Sequence, residues 1–253
     1  MNSPPELSVI IPAYNEERRL GRTLTRIRDY FAAGPLGLDR IEIIVVDDGS
    51  TDGTAKVTQD YARELPCLRL VSNGVNRGKG YSVRHGMLEA RGRIALFTDA
   101  DLSAPIEEFE TLLTAIDAGN DVAIGSRALD RSLISTHQSR FREVAGMIFN
   151  GFVRIFTGLP FYDTQCGFKA FVSERCRIVF EQQRIERFGF DPEVLFLARR
   201  HGLSVAEVPV RWAHDPATKV HVLRDSLLMF ADLIYIRLNW LLGRYPLRRL
   251  AGN

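Results

Sequence analysis

The stretch Ile41-Glu42-Ile43-Ile44-Val45-Val46-Asp47-Asp48-Gly49 decides the fold. A short β-branched apolar run reads as a strand, and Asp47, Asp48 and Gly49 stop it. Thr51 to Arg63 then carries a helical pattern. The same unit recurs on both sides. Upstream, Leu7 to Ile11 is a strand and Glu16 to Phe31 a helix with Leu20, Leu24, Ile27 and Phe31 on one face. Downstream come a strand at Leu68 to Val71, a helix at Gly80 to Ala90 and a strand at Ile94 to Thr98. A helix at Ile106 to Ala118, whose acidic start suits its dipole, and a short strand at Val122 to Ile124 follow. Such alternation implies an α/β fold: parallel strands joined by crossover helices in an open, doubly wound sheet. Ligands of such sheets sit at the carboxyl ends of the strands. The unusual residues fall there: Tyr14, Asn15 and Glu16 after the first strand, Asp47 and Asp48 after the second, Asp99 and Asp101 after the fourth.

The second half changes character. Phe141 to Phe156 reads as an apolar helix with arginines at both ends, and Tyr162 to Val172 as a polar loop running into a strand. Glu193 to His201 is helical, closed by Gly202, and Val205 to Val210 is a strand. Val222 to about Leu242 is a long apolar helix, followed by Arg244, Arg248 and Arg249. No internal repeat, low-complexity tract or linker interrupts the chain.

Composition narrows the class. With 253 residues, 45% apolar and 25% charged, one large domain with a full core is expected. The net charge of +2 balances 33 basic against 31 acidic residues, so no global field points to nucleic acid. Cys67, Cys166 and Cys176 have neither the number of a disulfide framework nor C-x-x-C spacing, which suits a reducing, cytoplasmic compartment. The N-terminus is polar and contains prolines, and the apolar run behind it ends at Pro12, too short for a signal-peptide core. The expectation is a domain that is not exported.

Asp99-Ala100-Asp101 ends a buried strand, where two carboxylates are hard to keep ionised without a cation. Hard oxygen ligands select Mg²⁺ or Mn²⁺, which can bridge to a diphosphate. The alternative is that the carboxylates cap the next helix. Asp47 to Gly53 has a similar pair of readings. A capping turn explains Ser50 to Gly53, whereas two carboxylates at the ligand edge suit a base imide or a ribose hydroxyl. Gly74 to Gly80 is neither a phosphate-binding P-loop nor a dinucleotide fingerprint. Asn73 stands at the first glycine position, Gly80 replaces the Ser/Thr, and Val83 stands where the third fingerprint glycine belongs. Lys79, at a glycine-flanked helix start, remains an anion contact.

Pro12-Ala13-Tyr14-Asn15-Glu16, Val46 to Asp52, Asn76-Arg77-Gly78-Lys79-Gly80, Asp99-Ala100-Asp101 and Gly125-Ser126-Arg127 occur in one order. Together they resemble the inverting family 2 glycosyltransferases of GT-A fold. Asp163-Thr164-Gln165-Cys166-Gly167-Phe168-Lys169, then Phe190-Asp191 with Glu193, look like the dolichyl-phosphate β-glucosyltransferase branch, sister to the dolichyl-phosphate mannosyltransferases. The resemblance covers roughly Leu7 to Leu242. The eukaryotic members of that branch carry an N-terminal membrane anchor, and this sequence starts directly at the catalytic domain.

The resemblance implies a single GT-A domain over residues 1–221, with a mostly parallel, mixed sheet. Its donor half would be 7–127 and its acceptor half 128–221, with 222–253 an amphipathic interface helix and basic tail. It implies that Pro12, Tyr14, Glu16, Asp47 and Asp48 hold base and ribose. Asp99 and Asp101, with Ala100 between them, would hold the metal and diphosphate, and Lys79 an anion. Arg127 matches the family's acceptor-phosphate arginine; Arg142, Lys219 and Gln165 fall at further acceptor-phosphate positions. Asp191 is either a general base or a helix cap beside Pro192. A monoalkyl phosphate, with a second pKa of about 6, is already mostly dianionic at neutral pH, so a positioning role is favoured. The five scattered histidines read as structural.

The implied reaction is transfer of glucose from UDP-glucose to a polyprenyl phosphate, with Asp101, Arg127 and Asp191 at its centre. The runner-up is GDP-mannose-dependent mannosyl transfer. A soluble family member with a polar acceptor and an inactive nucleotide-binding scaffold are the remaining alternatives. The apolar helices argue against the former and the intact Asp99 and Asp101 against the latter. Leu223, Leu227, Phe230, Ile234, Leu238 and Leu241 fall on one face of the last helix, but Arg224, Asp225, Asp232 and Arg237 interrupt it. Spanning a bilayer would bury those charges at roughly 2.5–3.5 kcal/mol each. An interfacial helix keeps them wet, with Trp240, Arg244, Tyr245, Arg248 and Arg249 at headgroup level. The alternative is an ordinary core-packing helix. The expectation is a peripheral enzyme on the inner, cytoplasmic face of a membrane.

Overall fold

The computed structural model describes residues 4–215 and 222–247. The first half runs β1 (Leu7–Ala13), α1 (Glu17–Ala33), β2 (Ile41–Asp47), α2 (Thr54–Glu64), β3 (Leu68–Ser72), α3 (Lys79–Glu89), β4 (Ile94–Thr98), α4 (Phe109–Asp117) and β5 (Val122–Ser126). The second runs β6 (Ile134–Thr136), α5 (Arg140–Thr157), β7 (Phe168–Val172), α6 (Ser173–Gln182), α7 (Phe190–Arg200), β8 (Val205–Pro209), β9 (Trp212–Ala213) and α8 (Val222–Leu241). Among the described residues seven strands form one sheet in the order β3-β2-β1-β4-β7-β5-β8, and β6 pairs with β9 apart from it.

The apolar runs make the sheet because both of its faces are covered. Ile10, Ile44, Val46, Phe97 and Ile124 point into a core shared with α3, α5, α6, α7 and α8. Their neighbours Val9, Ile11, Ile43, Val45 and Leu96 point into the other core, against α1 and α4. Residues 43–46 of β2 are completely buried, and each such side chain stabilises the fold by roughly 1.5–3 kcal/mol.

All pairings are parallel except those of β7, which runs antiparallel to both β4 and β5. This one reversal positions the site. Thr98 lies opposite Phe168, so the start of β7, and the loop before it, reach the same sheet edge as the carboxyl end of β4. Asp163 to Gly167 therefore meets Asp99, and the Asp99 N–H donates to the Gly167 carbonyl at 3.2 Å.

Several elements differ from expectation. The second helix begins at Thr54 because residues 50–53 form a turn in which Asp47 accepts from the Ser50 N–H and Asp52 from the Thr54 N–H. Helix α7 starts at Phe190, with Gly189 at its N-cap. Asp191 is thus inside the first turn, and the capping reading of it is corrected. Helix α6 and the β6–β9 pair were not anticipated.

The C-terminal helix divides its apolar residues between the core and the surface. Met229, Leu233 and Ile236 enter the core, and Phe230 packs edge-on against Phe152 and Phe156 of α5, at 5.2 and 5.4 Å between ring centroids. Leu227, Ile234, Leu238 and Leu241 stay exposed on the other stripe. The side chains of Leu223, Arg224 and Asp225, and all of Arg248 and Arg249, lie outside the described residues. Two aromatic residues expected at headgroup level are instead packed inward. Trp240 lies edge-on to Phe196, and Tyr245 is buried because its hydroxyl serves the interior carboxylate of Glu193 at 2.5 Å. Among the described residues no helix is long and apolar enough to cross a membrane.

Candidate active site

One side of the site grows from the ends of β1 and β2. Asn15 adopts a left-handed backbone (φ 53°), a conformation asparagine tolerates. Its N–H donates to Ser50 Oγ at 2.9 Å and its Oδ1 accepts from the Thr51 N–H at 2.8 Å, while the Glu16 N–H donates to Thr54 Oγ1 at 2.7 Å. These bonds lace the loop holding Pro12, Tyr14 and Glu16 to the loop after β2, and Tyr14 is exposed at the edge. Asp48 is buried and turned toward the glycine-rich loop. It accepts from Asn73 Nδ2 and from the backbone N–H groups of Arg77 and Gly78, at 2.8–2.9 Å. Asp48 thereby fixes the approach to Lys79, whose ammonium sits 2.6 Å from Asp99. Burial works to lower the Lys79 pKa; the carboxylates of Asp99 and Asp191 overcome it and hold the group protonated, its pKa raised.

Arg19, a residue sequence reading missed, is bonded to Glu16, lies 2.9 Å from Asp215 and 3.8 Å from Asp101. Burial disfavours its charge, and Glu16 and Asp101 more than restore it. A signal was present in its placement one helical turn after Glu16.

Asp101 accepts from the Ser103 N–H at 2.9 Å in an Asx-type turn. The capping alternative is realised only to that extent, since the next helical turn begins at Ile106. Burial first, and then the neighbouring Asp99 charge, push the Asp101 carboxyl up. A carboxyl pushed up by burial and by a neighbouring carboxylate fits a site for a hard divalent cation. Gly167 makes room for them, because a Cβ there would come 2.0 Å from Asp99 Oδ2. Among the described residues no three His, Cys, Asp or Glu side chains converge in a closed metal site. The donor set is an open one, of the kind that Mg²⁺ or Mn²⁺ completes with phosphate oxygens. Ala100, between the two, is held by Thr23 Oγ1 donating to its carbonyl at 2.6 Å.

On the other side, Arg127 follows β5 and forms a two-pronged pair with Asp163, at 2.6 and 2.9 Å. Burial alone would raise Asp163; the Arg127 charge outweighs it and lowers the carboxyl to about 2. The guanidinium also lies 5.3 Å from the Trp212 ring centroid. At the floor, Lys169 is 1% exposed, donating to the Cys166 carbonyl at 2.6 Å and to Asp191 at 2.5 Å. Burial raises the Asp191 pKa, opposed by Lys169 and Lys79. Lys169 was legible as the one cation in the otherwise apolar β7, though no role was read from it.

An open cleft brings together Lys79, Asp99, Asp101, Arg127, Arg142, Gln165 and Asp191. Trp212, His214 and Asp215 complete its rim, and Phe149 of α5 and Met229 of α8 give it an apolar wall. His214 stacks on Trp212 at 6.0 Å. Pro12, Tyr14, Glu16, Asp47 and Asp48 stand on the neighbouring strand ends. Lys219 lies outside the described residues.

The family model described as glycosyl transferase family 2 matches residues 8–171. A Drosophila melanogaster protein named dolichyl-phosphate beta-glucosyltransferase is 38% identical over 251 residues, covering 95% of this chain and 77% of that one. Proteins of the same name from Saccharomyces cerevisiae and Homo sapiens are 36% and 34% identical, over 94% and 96% of this chain and 76% and 78% of their own lengths. Among solved structures, Mycobacterium tuberculosis glucosyl-3-phosphoglycerate synthase in complex with Mn²⁺ and UDP-glucose has a TM-score of 0.65 at 20% identity, covering 96% of this chain and 80% of that one. A Pyrobaculum calidifontis mannosyltransferase with GDP-mannose and Mn²⁺ gives 0.60 at 22%, covering 92% and 65%. At these identities the structural likeness speaks for the fold alone. The sheet edge that gathers Asp99, Asp101 and Arg127, the family match across β1 to β7 and relatives aligned along nearly the whole chain converge: the chain belongs to glycosyl transferase family 2 and is a glycosyltransferase.

Proposed function

We propose that this glycosyltransferase moves glucose from UDP-glucose to a dolichyl or related polyprenyl phosphate, inverting the anomeric centre to give a β-linked lipid-phosphate sugar. The observation that carries the reading is the make-up of one cleft, with carboxylates on the proposed donor side, arginines on the proposed acceptor side and Phe149 and Met229 as an apolar wall. The names of the relatives support the same acceptor and sugar.

Asp99 and Asp101 are the residues that would hold Mg²⁺ or Mn²⁺, which when bound neutralises charge on the donor diphosphate. Pro12, Tyr14, Glu16, Asp47 and Asp48 line the base and ribose side, and Lys79 contributes a second positive charge near the diphosphate. Arg127, steadied by Asp163, and Arg142 receive the acceptor phosphate with Gln165 and Lys219. Their charge offsets the repulsion between two phosphate groups brought within reacting distance. One phosphate oxygen bonds to the anomeric carbon as the bond from that carbon to the nucleotide oxygen breaks. A dianionic phosphate needs no base, so Asp191, anchored by Lys169, orients the acceptor. Residues 7–127 serve as donor half and 128–221 as acceptor half. The enzyme would sit peripherally at the cytoplasmic face of a membrane, and the exposed apolar residues of α5 and α8 support the membrane contact in that reading.

The test is transfer from labelled UDP-glucose and GDP-mannose to dolichyl phosphate, with Mn²⁺ and with excess chelator, for the wild type and Asp101→Asn. Faster glucosyl transfer, lost on chelation and reduced by orders of magnitude in Asp101→Asn, is expected. Preference for GDP-mannose would move the chain to mannosyl transfer. Full activity in chelator would remove the metal.

A further inference from the structure

Beyond α8 the chain turns back and grips the segment between α6 and α7. Gln182 Nε2 donates to the Pro246 carbonyl at 2.6 Å, Arg184 donates to the Arg244 carbonyl at 3.1 Å, and the buried Tyr245 hydroxyl donates to Glu193 at 2.5 Å. Glu193 is fully buried, and its carboxylate also accepts from the backbone N–H groups of Arg184 and Ile185, at 2.8–3.1 Å. Side chain and strap together therefore fix the path of residues 184–185.

The opposite side of the same segment is the backing of the glycine-rich donor loop. The Tyr81 N–H donates to the Glu186 carbonyl at 3.0 Å, and Gln183 Nε2 to the Gly80 carbonyl at 2.8 Å. Arg77 pairs with Glu186 at 2.5 Å. Contact is close enough to exclude side chains. A Cβ on Gly78, whose φ is +109°, would meet the Glu186 carbonyl at 2.5 Å, and one on Gly80 would meet that of Ile185 at 2.6 Å. Helix α8 touches the segment a second time, where a Cβ on Gly189 would meet Asp232 at 2.2 Å. Three layers thus lie in register: the strap 244–246, the segment 182–189, and the loop 76–81 that aims Lys79 at Asp99.

We infer that Tyr245 and Glu193 are positioning residues for the donor loop, through which the seating of the C-terminal helix sets how firmly residues 76–81 are held. The inference rests on the reading of that loop as part of the nucleotide-sugar site. A buried acceptor left without its donor costs enough to loosen what it orders. Tyr245→Phe removes one hydroxyl and leaves the ring to fill its place. Glu193 then holds residues 184–185 less tightly, and the loop behind them opens more often.

The experiment pairs hydrogen exchange with kinetics on the intact protein. In Tyr245→Phe, the amides of Arg77, Gly78 and Tyr81 are expected to exchange about tenfold faster, and KM for UDP-glucose to rise by a similar factor, while kcat and KM for dolichyl phosphate stay within about twofold. Glu193→Gln, which places an amide donor against two backbone donors, is expected to exceed both effects. Unchanged exchange at residues 77–81 in a folded Tyr245→Phe protein overturns the coupling. So does a uniform fall of thermal stability, kcat and both KM values, or a variant that cannot fold, because each makes the strap a plain stability element. Failure of the wild type to bind UDP-glucose overturns the functional reading instead, and leaves the exchange experiment to decide the coupling.

Discussion

At the scale of single residues, the buried pair of Lys169 and Asp191 is the feature most sharply tied to chemistry. A cation 1% exposed within the β7 sequence Phe168-Lys169-Ala170-Phe171 has no packing rationale. Desolvating both ions costs several kcal/mol, and removing one partner strands the other at about 3–5 kcal/mol. Lys169→Met is therefore expected to destabilise the protein by that order and to cut transfer sharply. The sign with pH follows from Asp191, whose carboxyl is already raised by burial and loses the lysine that opposes it. A carboxyl raised in the folded state disfavours folding as pH climbs above its unfolded value. The deficit of Lys169→Met against wild type, from urea melts, should thus be larger at pH 8 than at pH 5. Adding Asp191→Asn should recover stability without recovering transfer. A deficit independent of pH would mean that Lys169 matters only for packing.

At the scale of elements, α5 and α8 act as one unit. Each buries one stripe in the core, and they join through Phe152, Phe156 and Phe230, leaving Met147, Ile148, Ile155, Leu227, Leu238 and Leu241 exposed on the outside. Scattered exposed leucines need no explanation, but apolar residues gathered on two packed helices that also wall the proposed acceptor cleft do. Inserted into a lipid interface, such a face gains roughly 25 cal/mol per Å² of apolar area removed from water. The intact protein is expected to float with anionic vesicles and to be released in part by high salt. Changing Leu227, Leu238 and Leu241 together to Ser should reduce the bound fraction about tenfold or more, with thermal stability little changed because all three point away from the core. Flotation unaffected by these changes would assign membrane contact to another surface.

At the scale of the whole molecule, the loop entering β7 is tied to the end of β5 by the Arg127–Asp163 pair. Asp163 falls from its ordinary 3.8 to about 2 because the guanidinium outweighs burial. A lowered carboxyl stabilises the fold in full above its unfolded value and loses that contribution as pH falls through the folded one. About 2 kcal/mol of global stability should disappear between roughly pH 4 and pH 2, and Asp163→Asn should flatten this part of the acid limb in urea melts. An identical acid limb in the variant would assign the loss to other carboxylates. Much of this architecture was legible beforehand. β-branched runs that end in Asp or Gly, alternating with helical periods, dictate a parallel sheet, and the order of Asp48, Lys79, Asp99 and Arg127 along the chain places them at its carboxyl edge. Those signals are local, since period and loop chemistry act over a few residues. The antiparallel insertion of β7 between β4 and β5 was not, and it alone carries Gln165, Gly167 and Lys169 to Asp99 and Asp191. Neither was the inward turn of Tyr245, whose amphipathic side chain suits a lipid interface as well as a protein interior. A local pattern fixes that a side chain is apolar with one polar end, and only the tertiary structure, by burying Glu193 and leaving it in need of a donor, decided which environment Tyr245 entered.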